Sequence, residues 1–168
     1  MAEHDIVFVH LCAYYAEKSN ISRANTPMSY VLKVLKILDF TTLLPGPFAT
    51  LYLADLGAEV VHIESPTRPD LLRLMPPFAN GQATSQSYLN RNKQSVALDL
   101  KDPVNIELVK SKIADYDIVI EQFRPGVMQR LGLDYQTLSE INPKLIYCSI
   151  TGYGQTGTYK DKAGHDIN

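Results

Sequence analysis

From residue 31 onward the chain alternates short apolar runs with stretches of helical spacing. VLKVLKILDF (31–40) closes on a run of the kind that forms a buried strand, and TTLLPGP then predicts a turn. FATLYLADLG reads as a helix closed by Gly57, a residue that accepts the left-handed conformation at a helix end. AEVVHIES (58–65) predicts a second strand. Between Pro66 and Arg91 the chain is rich in Pro, Gly, Ser and Asn, and reads as a long loop crossing a surface. SVALDLK (95–101) predicts a third strand, after which Asp102-Pro103 starts a helix through Ala114 with its proline at the favoured first position. DIVIEQF (117–123) predicts a fourth strand and PGVMQRLG a short helix with Pro125 at its start. DYQTLSEIN is a further helix, and KLIYCSITGYG (144–154) a fifth strand.

Strands dense in Val, Ile and Leu, separated by helices, imply an α/β fold: a Rossmann-like open parallel sheet with helices on both faces. Ligands of such sheets sit at the carboxyl ends of the strands. Those ends are TTLLPGP, ESPTRPD, EQFRPG and TGYGQTG. Residues 1–27 stand apart from the pattern, with the mixed apolar run IVFVHLCAYYA followed by the polar stretch EKSNISRANTP. They read either as an extension ahead of a natural start at Met28 or as an N-terminal helix.

At 168 residues there is chain for one domain, able to bury about 70% of its unfolded surface. Apolar residues are 45% and charged residues 20%, as in ordinary soluble domains. The formal net charge of −2 gives no global attraction to nucleic acid or to an anionic membrane, so neither is expected as a partner. The longest apolar runs are about ten residues, too short to span a bilayer. The N-terminus lacks the basic start and small-residue cleavage site of a secretion signal, and a cytoplasmic protein is expected. Cys12 and Cys148 lie far apart in no metal-ligand spacing, so no metal is expected.

Several stretches bear on chemistry. GYGQTG (152–157) matches GxGxxG after a strand, but a Tyr-Lys-Asp-Lys loop follows it where a dinucleotide site needs an apolar helix. A glycine loop that lets backbone approach a substrate fits better. The LLPGP turn (43–47) directly precedes a helix; its reading is divided between a rigid connector and an anion-favouring helix start. Arg124 and Arg130 flank a helix start, and Arg91, Lys93 and Lys101 add charge near the third strand, which hints at a phosphorylated ligand. His165 sits beside Asp166 in AGHDIN; an imidazole titrating near neutrality suits proton transfer, although adjacent residues on an extended segment point apart.

Taken in order, ILDFTTLLPGPFAT, LADLGAEVVHIESP, LNRNKQSVALDLK, EQFRPGVMQRLGL, NPKLIYCSITGYGQTG and AGHDIN resemble the family III CoA transferases, a family that includes formyl-CoA transferase, carnitine CoA-transferase and α-methylacyl-CoA racemase. The resemblance covers residues 32–168. It implies a Rossmann-like large domain, here incomplete over 28–168, a smaller second domain, and a homodimer of interlocked subunits when full length. It also implies coenzyme A as a substrate thioester, with an acyl-CoA as the small-molecule partner. Carried over by motif, the CoA contacts fall on Leu98 and Lys101 in VALDLK, Phe123 in EQF and Arg130 in QRLGL, with Lys101 and Arg130 meeting phosphates. Many relatives carry an arginine just after the acidic residue of the second strand; here that position is Ser65, and Arg68 is the candidate substitute.

AGHDIN resembles the racemase branch, in which the histidine is one of two acid–base groups flanking the substrate's α-carbon. His165 is then expected to exchange that proton on one face while a carboxylate acts on the other, with N–H donors stabilising the enolate. Transferases of the family instead use an aspartate nucleophile that takes up the acyl group and then CoA covalently. In both branches that carboxylate comes a few dozen residues after the GHDIN position, so Asp166 is not it. The 168 residues are accordingly expected to be the N-terminal part of such an enzyme, inactive by themselves, with racemase as the first reading. CoA transfer and a non-catalytic CoA-binding module are the alternatives.

Overall fold

The computed structural model describes residues 31–164. His165 and residues 1–30 lie outside that range, and with them the reading of residues 1–27. In chain order the strands are β1 (Lys36–Asp39), β2 (Glu59–Glu64), β3 (Phe78–Ala79), β4 (Gln82–Ala83), β5 (Gln94–Ala97), β6 (Ile118–Glu121) and β7 (Ile146–Ser149). The α-helices are α1 (Pro45–Asp55), α2 (Thr84–Leu89), α3 (Pro103–Lys112), α4 (Val127–Leu131) and α5 (Tyr135–Ile141). Five strands make one all-parallel sheet in the order β5-β2-β1-β6-β7, as the α/β reading requires.

Alternation along the strands splits the core between two faces. Leu38, Val61 and Val119 point to one side and meet Ile106 and Val109 of α3, Met128 of α4, Leu138 of α5 and Leu133 between α4 and α5. Ile37, Val60 and Ile118 point to the other and meet Leu53 and Ala54 of α1, with Leu32 and Leu35. Each such side chain contributes about 1.5–3 kcal/mol when fully buried, so covering both faces is what holds a parallel sheet together. Among the described residues, no helix is long and apolar enough to cross a membrane.

The segment 66–91 is built, not a plain loop. A 3₁₀ turn at Leu71–Leu74 is capped by Asp70, whose carboxylate accepts from the Leu72 N–H at 2.9 Å. β3 and β4 pair as a hairpin around Asn80-Gly81, both at positive φ (52° and 77°), and α2 follows. Leu72 and Leu89 close on Leu51 of α1, so the segment has its own small apolar cluster.

Three boundaries also move. The third strand stops at Ala97 because Asp99 turns the chain, accepting from the Lys101 N–H at 3.0 Å through its side chain and from the Asp102 N–H at 3.1 Å through its carbonyl. The helix expected at Pro125 starts at Val127, because Gly126 adopts φ 80° and cannot belong to a right-handed helix. The fifth strand ends at Ser149, before the glycine loop. Asp102 caps α3 as expected, accepting from the Val104 N–H at 2.9 Å.

Candidate functional site

The sheet runs from β1 outward to β5 on one side, then returns to place β6 and β7 on the other. At the carboxyl end this reversal leaves a crevice, the usual ligand position in an open α/β sheet. A cavity of about 480 Å³ lies there. Its walls are residues 122–125 after β6, residues 150–153 after β7, Pro45 at the start of α1, and Lys160, Lys162, Ala163 and Gly164. Two backbone segments touch across one side of it. A Cβ added to Gly152 or to Gly164 would come within 2.6 Å of the other's Cα, so only glycine fits at either position. This is the close approach that the glycine loop permits.

Gln122 ties the crevice to the start of α1. Its side-chain NH₂ donates to the Thr42 carbonyl at 2.5 Å, and its oxygen accepts from the Gly46 N–H at 3.1 Å. The anion-favouring reading of LLPGP therefore fails, for a simple reason of inventory. Pro45 and Pro47 have no N–H, the Gly46 N–H is taken by Gln122, and the Phe48 N–H bonds the Leu44 carbonyl at 2.9 Å. The turn is a rigid connector. Leu43 holds φ 60°, uncommon for a non-glycine residue, and its N–H donates to Asp70 at 2.9 Å.

Behind this end of the sheet lies a buried polar network that the sequence reading did not single out. Asp39 accepts from the Thr41 N–H (2.9 Å) and hydroxyl (2.5 Å) on one oxygen, and from the Thr50 hydroxyl (2.7 Å) on the other. His62 Nδ1 lies 3.5 Å and the Lys93 ammonium 3.6 Å from that second oxygen. Burial works to raise the Asp39 carboxyl, but His62, Lys93 and Thr41 together hold it below its ordinary value. Burial pushes Lys93 down, against the attraction of Asp39. Glu64 is held below the usual range chiefly by Arg73, which donates to both carboxylate oxygens at 2.7 and 2.5 Å. So a guanidinium does stand beside the acid of β2, but it comes from Arg73. Arg68 instead uses its backbone N–H, donating to Ser65 Oγ at 3.1 Å.

The residues expected to hold CoA divide. Phe123 lines the cavity. Leu98 does not, but it and Phe123 pack on the same apolar cluster, on the α3–α5 side of the sheet. Lys101 and Arg130 are exposed and lie outside the cavity lining, Lys101 in the turn before α3 and Arg130 on α4. His165 lies beyond the described residues; its neighbour Gly164 is a wall residue. Glu121, at the carboxyl end of β6, is buried, which raises its carboxyl despite hydrogen bonds from Ser149 and the Phe123 N–H (2.8 Å).

The sequence model for CoA-transferase family III matches residues 32–168. The chain belongs to CoA-transferase family III. Over 136 residues it is 46% identical to the Homo sapiens succinyl-CoA:glutarate CoA-transferase, covering 80% of this chain and 31% of that protein. Over 138 residues it is 40% identical to the Mus musculus alpha-methylacyl-CoA racemase, covering 82% of this chain and 32% of that one. A crystal structure of a CAIB/BAIF family protein from Brucella suis superposes with a TM-score of 0.77 at 40% identity, over 83% of this chain and 38% of that one. The chain spans about a third of the length of the curated relatives it matches. Within family III, the five-stranded sheet and its crevice are thus the part of the enzyme fold present here, and transferases and a racemase are both among the relatives.

Proposed function

We propose that the protein acts on acyl-CoA thioesters at the cavity beside β6 and β7, moving CoA between carboxylic acids. The observation that carries this reading is a convergence. Phe123, a position the family resemblance assigns to CoA, and Gly164, the neighbour of His165, line one cavity. Support for transfer comes from the relatives: the Homo sapiens protein and the Agrobacterium fabrum succinate–glutarate CoA-transferase are 46% and 44% identical to this chain. In this reading an aspartate takes up the acyl group and then CoA, splitting one hard acyl exchange into two easier ones. Leu98 and Phe123 hold the apolar parts of CoA, while Lys101 and Arg130 meet its phosphates.

A second reading, proton exchange at the α-carbon of the thioester, is supported by AGHDIN (163–168) and by the racemase relative. There His165 removes and returns the α-proton on one face. The charge left on the thioester oxygen needs N–H donors to hold it.

One pair of assays separates them. Purified protein carrying this chain, given succinyl-CoA and a carboxylic acid acceptor, is expected to form the acceptor's thioester and a trappable covalent intermediate. Solvent deuterium entering the α-position of a 2-methylacyl-CoA with no acceptor present, and lost in His165→Ala, establishes exchange instead. Neither signal, with no affinity for CoA, overturns both. Arg130→Ala is expected to weaken CoA binding about tenfold, the loss of one charge-assisted phosphate contact.

A further inference from the structure

Four carboxyl groups are buried among the described residues, those of Asp39, Glu64, Asp70 and Glu121. Three stand near a cation. Lys93 lies 3.6 Å from Asp39, Arg73 binds Glu64, and Asp70 is within the attraction of both Arg73 and Lys93. Glu121 has no ion pair among the described residues. Its carboxylate is held by neutral donors, the Phe123 N–H at 2.8 Å and the Ser149 hydroxyl.

These two donors belong to the two strand ends that flank the crevice. Glu121 closes β6, and its register partner on β7 is Ser149. The Glu121 carbonyl also accepts from the Ile150 N–H at 2.8 Å, so its backbone meets the start of the 150–153 wall. Its side chain fixes the opposite wall at Phe123, which lines the cavity. By strand alternation Glu121 shares the face of Val119, on the α3–α5 side, where Phe123 and Tyr147 also pack. One residue therefore joins both walls.

The groups packed around the carboxyl leave its charge uncompensated. On β7, burial pushes the Tyr147 phenol and the Cys148 thiol up, and the charge of Glu121 adds to both, so each keeps its proton near neutrality. Asp134, ahead of α5, acts on Tyr147 in the same sense. Asp39 of β1 falls on the other face of the sheet, with Ile37 and Ile120. From α4 and α5, Met128 and Leu138 present apolar side chains. Arg124, the next charged residue along the chain, lines the cavity. Burial holds the Glu121 carboxyl above its ordinary value of 4.5 despite its two hydrogen bonds. A bond accepted by a charged carboxylate is about twice as strong as one accepted by a neutral group, so a proton taken up here weakens the grip on Phe123.

We propose that Glu121 is a positioning residue for the cavity: its charged carboxylate holds Phe123 in the wall, and protonation loosens that wall. The consequence for CoA rests on the acyl-CoA reading of the cavity; the hold on Phe123 does not.

Two readouts test this, one of them free of CoA. Hydrogen exchange at the Phe123 amide, taken relative to an unstructured peptide at each pH, is followed from the ordinary carboxyl value of 4.5 up to neutrality. Wild-type protection is expected to fall as the pH drops through the folded Glu121 value, which lies above 4.5. Glu121→Gln keeps the shape without the charge. It is expected to be about fivefold to tenfold less protected at neutrality, with no such decline. Titration with CoA is expected to show about the same factor between the two proteins at neutrality, closing towards the acid end. The CoA phosphates titrate alike in both, so the difference isolates Glu121. Equal Phe123 protection in the two proteins at neutrality overturns the proposal. So does a CoA affinity that stays unchanged while protection falls, because the wall would then position nothing. A wild type that binds no CoA, with the protection difference intact, overturns the acyl-CoA reading and supports the hold of Glu121 on Phe123. Should Glu121→Gln fail to fold, the wild-type series decides, and protection level across the whole range overturns the proposal.

Discussion

His62 is buried on β2, and among the described residues neither ring nitrogen has a hydrogen-bond partner; they lie 3.5 Å from one carboxylate and 3.9 Å from the next. Buried polar atoms left unpaired cost roughly 1–3 kcal/mol each, so the surrounding charges must carry this cluster. Arg73 is the part of it most open to a clean test. Arg73→Met leaves Glu64 with the Ser95 hydroxyl (2.7 Å) and a His62 nitrogen 3.9 Å away. The Arg73 side chain is 42% exposed, so solvent already weakens the pair; the loss is expected to be about 1–2 kcal/mol by chemical denaturation. The pH dependence has a definite sign. Because the folded Glu64 carboxyl lies below its ordinary value of 4.5, its contribution is complete above that value and fades as the pH falls through the folded value. Arg73→Met should flatten that acid-side decline, and a profile parallel to the wild type would show that Arg73 does not hold Glu64 ionised. Gly46 is constrained by space instead: a Cβ there would overlap the side chain of Thr41. Gly46→Ala is expected to cost about 1–3 kcal/mol through overpacking, although alanine is the better helix former.

At the scale of elements, one side chain fastens the loop after β6 to the start of α1. Gln122→Leu removes both of its amide bonds and leaves the Gly46 N–H and the Thr42 carbonyl without their partner. The expected result is a loss of about 1–3 kcal/mol and much faster hydrogen exchange at the Gly46 amide. Exchange unchanged at Gly46 would mean that α1 is positioned without Gln122. This contact joins residues 76 apart and left no local mark in the sequence. By contrast, the sheet strands and α1, α3 and α5 were legible, because buried parallel strands are apolar runs and Asp102-Pro103 is a cap signal that acts through its neighbours. The 66–91 segment did carry a signal that went unread: Asn80-Gly81, a pair suited to a two-residue hairpin turn with both residues at positive φ. Its remaining order depends on Leu72 and Leu89 finding Leu51, and on Asp70 reaching Leu43. Those are tertiary facts. Gly126 shows the opposite error, since Pro125 looked like a helix start until the glycine's left-handed φ moved it.

Across the whole molecule, the crevice was legible as strand ends but its assembly was not. EQFRPG and TGYGQTG do meet there, yet ESPTRPD lies outside the cavity lining, and the Gly152–Gly164 contact depends on how the chain returns past β7. The sheet's outer strand raises the remaining question of scale. Among the described residues, β7 is half-buried at every residue and pairs with β6 alone. Its inward donors are on alternate residues: the Ile146 N–H bonds the Asp117 carbonyl and the Ile150 N–H bonds the Glu121 carbonyl, both towards β6. By that alternation the N–H groups of Tyr147 and Ser149 face outward, as an open template for another strand. The 168-residue chain is therefore expected to self-associate with rising concentration in sedimentation velocity. Ser149→Pro tests the cause, since proline removes an outward donor while sparing the backbone bonds to β6; it also removes the hydroxyl bond to Glu121, which Ser149→Ala removes alone and so controls for. It should shift the population towards monomer, after circular dichroism has confirmed that the variant still folds. Association that Ser149→Pro leaves untouched would move the contact to the exposed apolar side chains of the 66–91 segment, Leu71, Leu74 and Phe78. A wild-type chain that stays monomeric at every concentration would show that the β7 edge is already protected.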